Sequence, residues 1–176
     1  MTMSDRQTVA DANVRADSYF VVRTQARCWH CGTPTRLLAL AVPEDHESFE
    51  LTSLFDDVDA DGNTHERFEW QRSGMSALLF YVEDLPEEVS DKLREISSCF
   101  RLGYSVATLN SYWANHCEFC ATLLDDHDLH CEPDSAFVMS TEAAAKIERL
   151  RIEKPFEASA GGFSYEPEFF SSLRPG

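Results

Sequence analysis

Basic residues are scarce in this chain. Fifteen lysines and arginines stand against thirty-one aspartates and glutamates, a formal charge of -16 over 176 residues. Such a surface repels phosphate backbones, so general nucleic-acid binding is disfavoured. Long apolar runs are lacking too. The longest, Leu37 to Val42 and Ala77 to Val82, are far too short to cross a bilayer. Met1 to Asp17 has neither the basic start nor the apolar core of a secretory leader, and a soluble, cytoplasmic protein is expected. Glycine is sparse, at seven residues. No phosphate-cradling glycine motif, no GxSxG and no HExxH occurs, which removes the commonest signatures of nucleotide, serine-hydrolase and zinc-protease chemistry.

Hydrophobic residues make up 43% and aromatics 11% of the chain, enough for a folded core without disulfides. The expected organisation is a flexible tail over 1–16 and a single α+β domain over 17–176, with an acidic insertion at about 44–72. Its sheet is expected to be antiparallel, with two to three helices. Residues 18–24 (SYFVVRT) and 35–42 (TRLLALAV) read as two strands flanking a tight turn. Residues 103–113 read as a further strand, and Met75 to Val82 as a buried one. Pro86 opens an amphipathic helix in which Val89, Leu93 and Ile96 recur at helical spacing, with Cys99 on its apolar side. Ser140 caps an expected helix running to about Arg151. The tail from Phe156 to Phe170 is expected to add a strand or hairpin.

Six cysteines are present, and four fall in two CxxC pairs. Cys28 and Cys31 lie in CWHCG; Cys117 and Cys120 lie in NHCEFC. Each pair follows a strand and opens a turn, which can aim two sulfurs at one ion, and two such turns complete a closed four-sulfur shell. Cys28, Cys31, Cys117 and Cys120 are therefore the candidate ligands of a structural zinc ion. Gly32 suits the left-handed backbone such turns need, whereas Ala121 at the matching place does not. The 85 residues between the pairs exceed the spacing of compact zinc ribbons. Residues 18–43 hold Arg23, Arg27 and Arg36 and no carboxylate, as if to offset thiolate charge.

Other arrangements compete. Cys117 and Cys120 can combine with His127 and His130, with Cys131 as a substitute ligand, to form an open metal site of hydrolytic type. CWHC can be a redox pair, its histidine lowering a thiol pKa, although Gly32 and Pro34 make a poor helix start behind it. His30 and His116 are expected to be exposed beside the turns; Trp29, Tyr112 and Trp113 can form an aromatic surface or, equally, pack around the sulfurs. Asp57, Asp59, Asp61 and Gly62 match the opening of a calcium loop, but Phe68 occupies the twelfth position where a glutamate is needed. A solvated acidic turn is the expected state of 44–69, which carries ten carboxylates and a single Arg67.

The stretches YFVV, CWHCG, ALLFYVEDLP (77–86), SYWANHCEFC (111–120), DLHCEPDSAF (128–137) and PFEASAGGFSY give the chain a resemblance to a bacterial zinc-ribbon-like family with paired CxxC knuckles. The resemblance implies a zinc-binding protein without an assigned reaction, and it implies no catalytic residues. Ala121, where the family pattern has glycine, departs from it. The function expected is a non-enzymatic, zinc-stabilised protein-interaction module. Its protein partner is expected to be basic, matching the acidic surface. A thiol-disulfide oxidoreductase and a metal-dependent hydrolase are the alternatives.

Overall fold

The computed structural model describes residues 11–53, 67–137, 144–165 and 172–176. The calcium-like turn at Asp57 to Gly62 and the helix start at Ser140 lie outside the described residues. Strands dominate the rest. Nine form one sheet: β1 (Val14–Ala16), β2 (Tyr19–Arg27), β3 (Pro34–Val42), β4 (Glu47–Ser53), β5 (Arg67–Arg72), β6 (Ala77–Asp84), β10 (Glu148–Ile152), β11 (Phe156–Tyr165) and β12 (Arg174–Pro175). Their order is β12-β10-β2-β3-β6-β11-β1-β4-β5, with every pairing antiparallel except β10 with β12. A three-stranded sheet, ordered β7-β8-β9, comprises β7 (Phe100–Ser105), β8 (Asn110–His116) and β9 (Leu123–Leu124). Among the described residues there are two helices, α1 (Glu87–Ile96) and the five-residue α2 (Asp126–His130). The α+β expectation is therefore corrected to a mostly β fold.

The long apolar runs in β2 and β3 have a simple cause. Tyr19, Val21, Leu38, Leu40 and Val42 face one core, which α1 covers with Val89 and Leu93. Phe20, Val22, Leu37, Ala39 and Ala41 face a second core with Leu129, Phe137 and Ile147. Strands covered on both faces lose the polar alternation of a half-exposed sheet.

Several local expectations change. The acidic stretch supplies two sheet strands, β4 and β5, because Phe49 pairs with Trp70 and Leu51 with Phe68 across them. The expected helix to Arg151 gives way to β10, where Leu150 and Ile152 pack on the first core. Arg149 and Arg151 lie over the Phe20 ring instead, the alternation of a strand. Residues 103–113 form no single strand; they belong to the β7–β8 hairpin, whose turn puts Leu109 at φ 56°. Cys99 lies beyond the end of α1 and is half-buried rather than a helix core residue. No described helix is long and apolar enough to cross a membrane.

The small sheet is fastened to the large one by a side chain. β6 pairs with β3 only from Leu40 to Val42, which leaves Leu38 without a strand on that edge. Asn115 of β8 fills the gap: its Oδ1 accepts from Leu38 N–H and its Nδ2 donates to Leu38 C=O, both at 2.8 Å and both buried. One amide stands in for a strand residue, satisfying two backbone groups that would otherwise be buried unpaired.

Candidate metal centre

The two CxxC turns close the β2–β3 and β8–β9 hairpins, and they are built alike. Cys28 N–H donates to Thr33 C=O at 3.0 Å and Gly32 N–H to Cys28 C=O at 2.8 Å. The second turn repeats this: Cys117 N–H to Thr122 C=O at 2.9 Å and Ala121 N–H to Cys117 C=O at 3.0 Å. Gly32 has φ 73°, as the turn requires. Ala121 has φ 57°, so the alanine that breaks the sequence symmetry adopts the same left-handed backbone.

These turns bring the four sulfurs together, all within 4.8 Å of one another. Cys28 Sγ lies 3.7 Å from Cys120 Sγ, and Cys31 Sγ lies 3.6 Å from Cys117 Sγ. A tetrahedral shell with metal–sulfur bonds of about 2.3 Å spaces its sulfurs about 3.8 Å apart. The separations fit such a shell, so the cluster can hold a metal ion. Cys28 and Cys117 are buried, while Cys31 is exposed and Cys120 partly so.

Donors converge on the sulfurs. Burial pushes the Cys28 thiol up to about 11, against the N–H groups of Cys31 and His30, which favour its thiolate. Thr122 Oγ1 lies 3.3 Å from Cys120 Sγ. This hydroxyl, with the Thr122 N–H, holds the Cys120 thiol down to about 5. Thr33 lowers Cys31 in the same way. The imidazole of His30, from the opposite knuckle, also favours the Cys120 thiolate, and Phe119 N–H donates to Cys117 Sγ at 3.5 Å. Both threonines occupy the last place of a repeated CxxCxT pattern, visible in the sequence and overlooked there.

The knuckles are also joined by polar contacts outside the sulfurs. Glu118 takes the Arg36 guanidinium on one oxygen, at 2.9 Å from Nε and 2.6 Å from the terminal nitrogen. Its other oxygen accepts from Arg36 N–H at 3.1 Å, and Glu118 N–H donates to Thr35 Oγ1 at 3.1 Å. The arginines expected to offset thiolate charge thus have specific partners: Arg36 on Glu118, Arg27 on Gly32 C=O at 3.1 Å, and Arg23 on Glu148 at 3.0 Å.

The rival ligands stand elsewhere. Among the described residues, the four cysteines form the one cluster of metal-ligating side chains, and His127, His130 and Cys131 are not in it. His127 is exposed on α2. His130 stacks between Phe80 and Phe137, at 5.4 and 4.8 Å between ring centres, and burial pushes its pKa down to about 3. Cys131 is exposed past the end of α2.

His116 departs from expectation. It is buried at 7% exposure beneath Gly103, where an added Cβ would come within 2.8 Å of the imidazole. Tyr112 and Trp113 are also buried, but Trp29 projects from the first knuckle at 68% exposure and Phe119 from the second at 70%. Trp29 lies edge-on to His30, 5.5 Å between ring centres.

Comparison with family models, with curated proteins and with solved structures finds no match. What bears on the resemblance to paired-CxxC proteins is the four-cysteine cluster itself.

Proposed function

We propose that Cys28, Cys31, Cys117 and Cys120 bind one structural zinc ion, and that the protein is a non-enzymatic interaction module organised around it. The observation that carries this is the cross-knuckle spacing of 3.6 and 3.7 Å, within a cluster whose four sulfurs all lie within 4.8 Å of one another. A redox pair uses the two thiols of one CxxC alone; here the sulfurs of each CxxC also approach those of the other. Four thiolates fill a tetrahedral shell and leave no position for substrate, which supports a structural rather than a hydrolytic metal. The donor set is soft and all-sulfur, a chemistry that favours zinc among abundant divalent ions.

Zinc bound here would close a long loop. Tethering ends some 85 residues apart removes chain entropy from the unfolded state, about 4–5 kcal/mol by the loop-closure estimate for a crosslink. The interaction role rests on Trp29 and Phe119, two large aromatics held out from the knuckles at 68% and 70% exposure. The charge of -16 favours a basic protein partner.

Metal analysis with X-ray absorption tests the metal proposal. The expected result is one zinc per chain with four sulfur neighbours near 2.3 Å, and four thiols released on chelation. A folded, metal-free protein carrying a reversible Cys28–Cys31 disulfide would overturn it, as would a nitrogen or water ligand in the first shell.

A further inference from the structure

Beyond the end of α1, the face of the large sheet that the helix covers is left open as a cleft of about 550 Å³. That volume lies within the range of small-molecule sites. Its lining is unusual for so acidic a chain: Arg23 and Lys146 contribute cations against the carboxylate of Glu148, while Arg36, also in the lining, is held by Glu118. Leu38 and Ile96 add an apolar wall, and Ile96 packs onto the core behind it. Strand pairing fixes the arrangement, since Arg23 stands opposite Glu148 and Arg36 opposite Gln25.

The polar groups are incompletely matched. Glu148 holds only a terminal nitrogen of Arg23, at 3.0 Å. Arg23 Nε is itself enclosed by protein, whereas the side chain as a whole is 41% exposed, so the guanidinium meets the cleft through its terminal nitrogens. Lys146 makes no ion pair among the described residues, and it is exposed at the cleft edge. A partly exposed guanidinium held by Glu148 on one nitrogen, an ammonium with no ion pair among the described residues and an apolar wall line one concavity, and together they specify a ligand with an anionic end and an apolar end.

We propose that this cleft binds a small organic anion, its oxyanion head between Arg23 and Lys146 and its hydrocarbon body against Ile96 and Leu38. The head can be a carboxylate or a phosphate monoester, since both accept from a guanidinium and an ammonium. This site is separate from the cysteine cluster and does not depend on what the cluster binds.

The test uses the full-length, metal-loaded protein and NMR titration of the Arg23 Nε–H and Ile96 methyl signals. The probes are hexanoate, hexyl phosphate, hexanol and inorganic phosphate. Saturable shifts are expected with hexanoate or hexyl phosphate, at least tenfold tighter than with inorganic phosphate, and none with hexanol. The tighter of the two organic probes identifies the head. Lys146→Gln, at an exposed position that should not disturb folding, is expected to weaken binding at least threefold, and Arg23→Gln at least tenfold. Glu148→Gln, which frees Arg23 from its internal competitor, is expected to tighten it about threefold. Three outcomes overturn the proposal: hexanol binding as well as hexanoate, inorganic phosphate binding as well as hexyl phosphate (an adventitious ion only), or affinity unchanged in both Lys146→Gln and Glu148→Gln.

Discussion

Exchanging the residues that follow the two cysteine pairs should move stability in opposite directions. Ala121 is held at φ 57°, a left-handed backbone that costs a residue with a Cβ about 1–2 kcal/mol. Glycine removes that strain but has a freer unfolded chain, a counter-effect of about 0.5–1 kcal/mol. Ala121→Gly is therefore expected to stabilise the protein by about 0.5–1 kcal/mol. Gly32→Ala is the mirror experiment. A Cβ built at Gly32 meets nothing within 4 Å, so steric crowding adds nothing, and the backbone alone should cost about 0.5–1 kcal/mol. The assay is urea unfolding at constant saturating free zinc, so that the ligand's contribution is the same for each variant. In thermal melts, effects of this size correspond to about 1–4 °C for a chain this long. A loss of stability in Ala121→Gly, or a gain in Gly32→Ala, would show that the two knuckles do not share one backbone.

Other outcomes follow from contacts away from the turns. Asn115→Ala leaves Leu38 N–H and C=O buried and unpaired, and should destabilise by about 2–5 kcal/mol in urea unfolding; a change below about 1 kcal/mol would mean that the amide bridge is dispensable. Thr122→Val removes the hydroxyl at Cys120 and should weaken metal affinity about tenfold in competition with a chromophoric chelator, and unchanged affinity would contradict the role given to that hydroxyl. Burial raises Asp126, which accepts from Tyr81 N–H at 2.7 Å, to about 7 from an ordinary value of 3.8. The folded state then binds the proton more tightly than the unfolded one, so this group's stabilisation is fully present below pH 3.8 and is lost as pH rises towards 7. Asp126→Asn should therefore gain stability relative to the native protein as pH increases across that window. Parallel melting-temperature profiles for the two proteins would refute this.

The legible parts of the sequence were those whose signal is local. Cysteines three apart announced both turns, and the 3.6-residue spacing of Val89, Leu93 and Ile96 announced α1. What failed depended on distant partners. Glu148 to Ile152 alternates over too few residues to outweigh the alanines before it, and becomes a strand because β2 offers it an edge. The turn between β7 and β8 lacks a glycine or asparagine at its left-handed position, where Leu109 stands, so it carries no turn signature. Asn115 bonds to a residue 77 positions away, and nothing in SYWANHC marks it as a strand substitute. The four clustered cysteines were foreseeable because knuckle chemistry is written within six residues at each end; the hydroxyls of Thr33 and Thr122 belonged to the same six.

Strands β2 and β3, enclosed by protein on both sides, bear on how the chain is made. They leave the ribosome joined by a tight turn, as an early hairpin whose two broad surfaces are both greasy. Among the elements that cover it, α1, β8 and β10 are translated later, and the second pair of thiols follows 85 residues behind the first. Until α1 emerges one of its faces stays bare, and the two sulfurs of the first knuckle have no partners until residue 120 follows, an exposure of apolar surface that favours aggregation.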